Sequence, residues 1–369
     1  MKHLKDSDKI EYFTLNEKIF YFSVIDKVEY QNLNEYELKT INFISDWLNG
    51  KQEFIINTSG STGIPKPITI FREQMIISAR MTGKALNLKS GYKSFICLST
   101  QYIAGLMMIV RSLVLNLQMT IVEPVANPYD LLKQGFEFTA LVPLQLYEMF
   151  NNKDQDINLI DNFKAILIGG GDINQSLNEK IQNLQSPIYH TYGMTETITH
   201  IALKRLNGDI KSEYFTTLEN VDIKLDDRGC LVIRSPITNN VEIVTNDLVD
   251  IISKNQFKWI GRIDNVINTG GVKVQSEKVE KVLEKILYNS DFSNKNFFVS
   301  SQPDKKFGNI IIAVIEIDFL SEEDINNLKN ELKKYLAKYE IPKHIYFISS
   351  FLLTKSGKVD KLATIKEIK

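Results

Sequence analysis

Soft metal ligands are scarce in this chain, which has two cysteines and four scattered histidines and so offers no metal-ligand cluster. Cys97 and Cys230 each sit inside an apolar, strand-like run, so reduced, buried thiols fit better than a disulfide and point to the cytosol. Long hydrophobic runs are also absent. The longest apolar patch, Ile103 to Leu117, is broken by Arg111 and falls short of a membrane span. The opening MKHLKDSDKI lacks the apolar stretch of a signal peptide. Neither sign of charge dominates: 44 basic against 45 acidic residues leave a net charge of −1, with no field to attract nucleic acid or an anionic membrane. These absences leave a soluble, cytoplasmic protein without stable membrane association.

What is present suits a globular chain of more than one domain. The 369 residues, 43% of them hydrophobic, supply a sizeable core that needs no staple. In the first half, short apolar strands (Lys93–Leu98, Met119–Val122, Phe138–Val142, Lys164–Ile168, Ile188–His190) alternate with helical patterns (Gly105–Leu117, Leu144–Phe150, Gln175–Leu184), which predicts parallel sheets covered by helices. Around Val221 the texture changes. Val221–Leu225, the turn Asp226-Asp227-Arg228-Gly229 and Cys230–Arg234 read as a hairpin in a β-rich subdomain. Beyond Gly261, Val279, Val282, Leu283, Ile286 and Leu287 share one helical face, and Ile325, Leu328, Leu332 and Leu336 share another. Ser321 and Asp324 resemble a capping box that opens the second helix. The predicted fold is α/β: a large N-terminal domain, 1–262, of mixed sheets covered by helices with a β-rich subdomain, and a small mobile α+β domain, 263–369.

Five stretches carry chemistry. NTSGSTGIPKP (Asn57 to Pro67) lies between a predicted strand and a helix opening near Glu73. Its glycines Gly60 and Gly63 permit close backbone approach, Thr58, Ser59, Ser61 and Thr62 offer hydroxyls, and Lys66 offers a charge. That set suits a polyphosphate, although a solvated serine-glycine turn has the same composition and the spacing is not that of the common phosphate loop. YGMTET delivers Tyr192, Thr195 and Glu196 at the end of a strand carrying His190, where open α/β sheets bind ligands. Glu196 has the hard oxygen chemistry for Mg²⁺; a plain loop is the other reading. Gly169, Gly170 and Gly171 give bare backbone at a strand end, for an adenine edge, an acyl chain or a simple turn. Asp247, between the predicted strands Val241–Val244 and Leu248–Ile252, is able to accept ribose hydroxyls together with Arg262, or to serve as a turn residue. Lys358 follows a glycine in LLTKSGKVDK, a solvated basic loop when read alone.

Taken in order, TSGSTGIPKP, YGMTE, the Asp247 segment, GRIDNVINTGGVKVQSEKVE and TKSGKVDK strongly resemble the adenylate-forming superfamily of acyl-CoA synthetases, peptide-synthetase adenylation domains and luciferases, from about Phe54 to Lys361. The resemblance implies a ligase that uses ATP and Mg²⁺ to convert a small-molecule carboxylic acid to an acyl-adenylate, releases pyrophosphate, and passes the acyl group to a thiol such as CoA. It implies that Thr58 to Lys66 hold the β- and γ-phosphates, that Gly170 and Gly171 flank adenine with Tyr192 on its face, and that Gly169, His190 and Gly193 complete the nucleotide site. Thr195 would bind the α-phosphate, Glu196 the Mg²⁺, and Asp247 and Arg262 the ribose. Lys358 would bridge the attacking carboxylate and the α-phosphate. The small domain would turn about Asp264 between half-reactions and bring Gly270 and Gly271 to the thiol's path.

The chain departs from the pattern at Asn246 and Pro67, both glycine in the family, at Leu352, commonly proline, and at Asn268, often lysine. A phosphate loop starting near residue 58 also implies a missing or shortened first subdomain. For the acid, one clue stands out: Arg111 interrupts an apolar helix, where a buried cation needs an anionic partner, unless it snorkels or forms a structural ion pair. The stretch YIAGLMMIVRSLVLN and the wording NVINTGGVKV look most like o-succinylbenzoate–CoA ligases of menaquinone biosynthesis. There the matching arginine is associated with the second carboxylate of the aromatic diacid. A ligase for another acid, an acyl-AMP ligase and a catalytically silent nucleotide-binding relative are the other readings.

Overall fold

The structure, a computed structural model, describes residues 9–28, 32–57, 67–132, 135–151, 159–290, 292, 295–353 and 359–368. In chain order its first elements are β1 (Tyr12–Leu15), β2 (Lys18–Tyr21), α1 (Glu35–Leu48), β3 (Glu53–Asn57), β4 (Pro67–Phe71), α2 (Arg72–Ala85), β5 (Lys93–Ile96), α3 (Ile103–Leu115) and β6 (Gln118–Ile121). Then come β7 (Phe138–Leu141), α4 (Pro143–Asn151), β8 (Ala165–Ile168), α5 (Gln175–Gln182), β9 (Ile188–Gly193), β10 (His200–Arg205) and β11 (Phe215–Thr217). Strands β12 (Asp222–Leu225), β13 (Cys230–Arg234), β14 (Ile243–Ser253) and β15 (Gln256–Arg262) follow. The last elements are β16 (Val266–Thr269), β17 (Val272–Gln275), α6 (Ser276–Tyr288), β18 (Phe297–Asp304), β19 (Gly308–Glu316), α7 (Glu322–Tyr335), β20 (His344–Ile348) and α8 (Lys361–Glu367).

Thirteen strands form one sheet in the order β12-β13-β14-β15-β11-β10-β9-β8-β7-β5-β6-β1-β2. Its centre, β6 through β9, is parallel, because apolar runs such as Phe138–Leu141 and Ala165–Ile168 are buried on both faces and are covered by crossover helices. The alternation of side chains divides the interior in two. Along β8, Ala165 and Leu167 enter a core shared with Met75 of α2 and Met107 of α3, whereas Ile166 and Ile168 enter one shared with Leu146 of α4 and Leu177 of α5. From β10 to β12 the pairing is antiparallel, including the expected hairpin, in which Asp226 accepts from the Arg228 and Cys230 amides and Gly229 has φ 80°.

A second sheet runs β17-β16-β19-β18, with β20 parallel to β19. Helices α6 and α7 cover it through Val279, Leu283 and Leu287 against Leu328, Leu332 and Leu336, the faces that the periodicity marked. The Ser321–Asp324 box is reciprocal, each residue's amide donating to the other's side chain. The fold is therefore α/β, with a β-rich antiparallel wing and a smaller α+β unit. The turn 263–265 separates β15 from β16. Helix α6 also leans on the large sheet's side: Glu284 accepts from the Gln175 amide at 2.9 Å, and Tyr288 donates to Glu179.

One expectation changes. Asp247 is not in a turn between two strands. It lies inside the single strand β14, where a register shift at Leu248/Val249 bulges the ladder and spares the chain a reversal. The β1–β2 hairpin and β4 carried no strand expectation. Both cysteines are buried and free, and no helix among the described residues is long and apolar enough to cross a membrane.

Helix α3 positions the site described below, and Gly105 sets its seat. A Cβ there would lie 2.3 Å from the Ser99 carbonyl oxygen, so the helix start packs directly on the loop after β5. Gly105→Ala should lower the urea midpoint by the equivalent of about 1–3 kcal/mol, the range for overpacking a filled interior.

Candidate active site

Asp247 is a buried acid inside the large sheet. Only 7% exposed, it is held by the Tyr192 hydroxyl, which donates to Oδ2 at 2.6 Å, and by the Trp259 indole, which donates to Oδ1 at 3.3 Å. Arg262, its cross-strand neighbour, places Nη1 3.8 Å from Oδ1. A buried carboxylate stays charged only with such donors, and its oxygens still have lone pairs for a ligand's hydroxyls. Burial and the Asp247 charge push the Tyr192 hydroxyl well above the ordinary tyrosine value, so it remains a donor. Its ring stands edge-on to Phe257 with centroids 5.0 Å apart and also packs on Phe215.

Beside it, β8 ends in Gly169, Gly170 and Gly171, with Gly170 at φ 80°. A Cβ at Gly169 would meet the Thr191 hydroxyl at 2.4 Å, so the backbone there is necessarily bare. His190 donates from Nε2 to the Gly171 carbonyl at 3.3 Å and steadies that loop. Burial, helped by the charge of Lys204, pushes His190 down to about 4, and the ring is neutral at pH 7.

Strand β9 ends at Gly193, where a Cβ would lie 2.3 Å from the Thr199 carbonyl oxygen, so the close approach of the returning chain requires glycine. Thr195–Thr197 then make one 3-10 turn. The buried Thr197 hydroxyl ties it down, accepting from the Met194 amide and lying within 2.8 Å of the Thr199 carbonyl. Thr195 is half-exposed and Glu196 exposed. Among the described residues no three acidic, histidine or cysteine side chains form a metal cage. An accessible lone carboxylate fits a Mg²⁺ ion held mostly by phosphate oxygens.

Arg111 lies on α3, 3% exposed, and the structure brings it to the other side of the same turn. Its Nη2 donates to the Thr199 hydroxyl at 3.0 Å and its Nε lies 3.4 Å from the Thr82 hydroxyl. Thr82 donates to the Ser78 carbonyl and faces His200 Nε2 at 3.0 Å. Among the described residues no carboxylate pairs with the guanidinium. Burial pushes Arg111 down to about 9, so it is protonated at neutral pH. Burial and then the neighbouring Arg111 hold His200 well below the ordinary imidazole value, and it adds no second charge. Arg111 is thus the one charged group of this cluster of side chains.

Asp264 accepts from Arg262 Nη2 at 2.7 Å and from Asn246 Nδ2 at 3.2 Å. Gly270 and Gly271, at φ 59° and 85°, form the tip of the β16–β17 hairpin. Thr58 to Lys66 and Lys358 lie outside the described residues, although β3 and β4 pair up to Asn57 and Pro67, and Leu353 bridges Val359. Trp259, Thr82, Thr199 and His200 belong to none of the stretches that the sequence marked. Each reaches its partner across strands or helices, and the only hint was a tryptophan three residues before Arg262.

Comparison with known proteins agrees with this layout. The family model described as AMP-binding enzyme matches residues 47–236. A crystal structure of an acyl-CoA synthetase (AMP-forming)/AMP-acid ligase II-like protein from Dyadobacter fermentans is 40% identical, with 94% of this chain and 98% of that chain covered and a TM-score of 0.63. The chain therefore belongs to the AMP-binding enzyme family. A 2-succinylbenzoate–CoA ligase of Listeria monocytogenes is 26% identical over 90% of this chain and 74% of its own length. The Bacillus subtilis o-succinylbenzoate CoA synthetase, solved with its acyl-adenylate intermediate, shares the fold at 20% identity and a TM-score of 0.70, over 85% of this chain and 69% of that one.

Removing the indole donor should loosen the Asp247 carboxylate without emptying the core. Trp259→Phe is expected to weaken AMP binding about tenfold, or about 1.4 kcal/mol, with thermal unfolding little changed. Calorimetric titration of AMP checks it.

Proposed function

We propose that this chain is an AMP-forming acid–thiol ligase that activates o-succinylbenzoate and passes it to CoA, as in menaquinone biosynthesis. The observation that carries the choice of acid is Arg111: a buried guanidinium with hydroxyl partners and no carboxylate among the described residues. An uncompensated buried cation is costly, and a substrate carboxylate supplies the missing charge. The 2-succinylbenzoate–CoA ligases among the relatives support the same acid.

In this reading the ring carboxylate of the diacid sits on Arg111 and its succinyl carboxylate is presented to ATP. One carboxylate oxygen attacks the α-phosphorus, and the bond to the bridging oxygen breaks as pyrophosphate leaves. Asp247 and Arg262 hold the ribose, Gly169 to Gly171 with His190 and Tyr192 hold the adenine, and Gly193 lets the backbone turn. Thr195 donates to the α-phosphate, and the 58–66 loop holds the outer phosphates. Glu196 would hold Mg²⁺, which supplies charge neutralisation for the polyphosphate when bound. Lys358 neutralises charge where carboxylate and α-phosphate meet.

The thiol sulfur of CoA then attacks the acyl carbonyl and AMP departs. Residues 263–369 act as a unit that turns about Asp264 between the two steps. Gly270 and Gly271 then line the thiol's path, and the absence of any atom within 4 Å of a Cβ placed at Gly271 supports a clear passage there. The free thiols Cys97 and Cys230 support a cytoplasmic setting.

Pyrophosphate release with a panel of acids tests the reading: o-succinylbenzoate should exceed its analogue lacking the ring carboxylate, and equal rates would exclude the diacid. Arg111→Leu should lower kcat/KM for o-succinylbenzoate by about two orders of magnitude or more, from the loss of about 3–5 kcal/mol of buried pairing, while AMP binding is spared. For the half-reactions, Lys358→Ala should slow adenylate formation by about 100-fold or more, yet convert pre-formed acyl-adenylate to thioester at near the unmodified rate. Single-turnover assays of each step separate the two.

A further inference from the structure

The backbone between the acid site and the phosphate site contains a strained residue. Ile198 has φ 64° and ψ −55°, and the amide of Thr199 closes a three-residue turn onto the Thr197 carbonyl at 2.6 Å. Such a γ-turn is rare and strained, and a β-branched residue suits positive φ least. The other non-glycine residues with positive φ among those described are six asparagines and one glutamate, types that tolerate it better. Ile198 is 4% exposed and packed into the main core, so the surrounding structure holds it there. Strain of this kind costs about 1–3 kcal/mol and persists where neighbours over-determine it.

The turn joins two sites. On one side the Thr199 hydroxyl receives Arg111 Nη2 and lies 3.1 Å from the Ser78 hydroxyl. On the other side the Ile198 amide donates to the Thr195 carbonyl at 2.9 Å, and the Thr197 hydroxyl links the Met194 amide, the Met194 carbonyl and the Thr199 carbonyl. Thr195 and Glu196 are carried on this closed unit. Thr199 and Thr195 are therefore joined by a short, continuous set of hydrogen bonds.

We propose that Thr199 and the Ile198 turn are positioning residues that couple occupancy of the Arg111 site to the Thr195–Glu196 loop, so that the bound diacid raises affinity for the nucleotide's phosphates. When a carboxylate pairs with Arg111, the guanidinium shifts its share of hydrogen bonding between Thr199 and the ligand, and the strained turn transmits the shift. The inference rests on the acid proposed above. Coupling of this type is reciprocal, so it is measurable from the nucleotide side alone.

The test is the dissociation constant of α,β-methylene-ATP with Mg²⁺, an uncleavable analogue, with and without saturating o-succinylbenzoate. The unmodified protein should bind the analogue about fivefold or more tightly with the acid present, the lower end of usual coupling factors. Thr199→Val, which keeps shape but removes the hydroxyl, should reduce the factor to about twofold or less, and Thr199→Ser should restore it. Direct titration of the acid into the unmodified protein runs alongside. Tight acid binding with an equal coupling factor in unmodified protein and Thr199→Val overturns the coupling alone. Absence of acid binding to the unmodified protein overturns the acid assignment, and the coupling with it.

Discussion

A carboxylate buried inside the sheet, with donors from three directions, organises this molecule. Asp247 is satisfied only if β9 supplies the Tyr192 hydroxyl, β15 supplies the Trp259 indole and Arg262 leans across the ladder. Those requirements fix three strands relative to one another at the end where the glycine loop after β8 and the Thr195 turn also emerge. They reach further through Arg262, which is shared with Asp264 at the junction of the two sheets, and through Trp259, whose ring lies under Lys281 of α6. A change in the position of the smaller unit therefore alters the surroundings of a residue that holds Asp247.

The same logic with opposite sign governs Arg111. An acid left unpaired in the interior would be neutralised by taking a proton, but a guanidinium has no comparable escape at neutral pH. The neighbouring His200 yields instead and remains neutral. Hydroxyls from two elements (Thr82 on α2, Thr199 before β10) solvate the cation without neutralising it, and Ser78 of α2 supports the Thr199 hydroxyl.

Legibility from sequence followed the range of the interactions. Strands β7 and β8 were visible because burial on both faces writes a continuous apolar run, and α3 with its arginine because a charge in such a run is conspicuous. The hairpin after Cys230's turn was visible because its turn chemistry is local. Asp247 was misplaced since Asn246-Asp247 has turn composition, while the bulge that keeps it within β14 depends on pairing with β15. The β1–β2 hairpin turns at Asn16 and Glu17, both at positive φ, without the glycine that marks such turns. Trp259, Thr82 and Thr199 meet their partners only after folding, and a single sequence holds no trace of those meetings.

One consequence follows from the pairing of β9. It is parallel to β8 and antiparallel to β10, so it is the seam between the two halves of the large sheet. On the parallel side the chain reaches β6, β8 and β9 through the crossover helices α3, α4 and α5. At the seam it returns directly through the single 3-10 turn Thr195–Thr197. The reversal is thereby confined to very few residues, and a β-branched side chain in an unfavourable backbone region is the structural trace of so short a return.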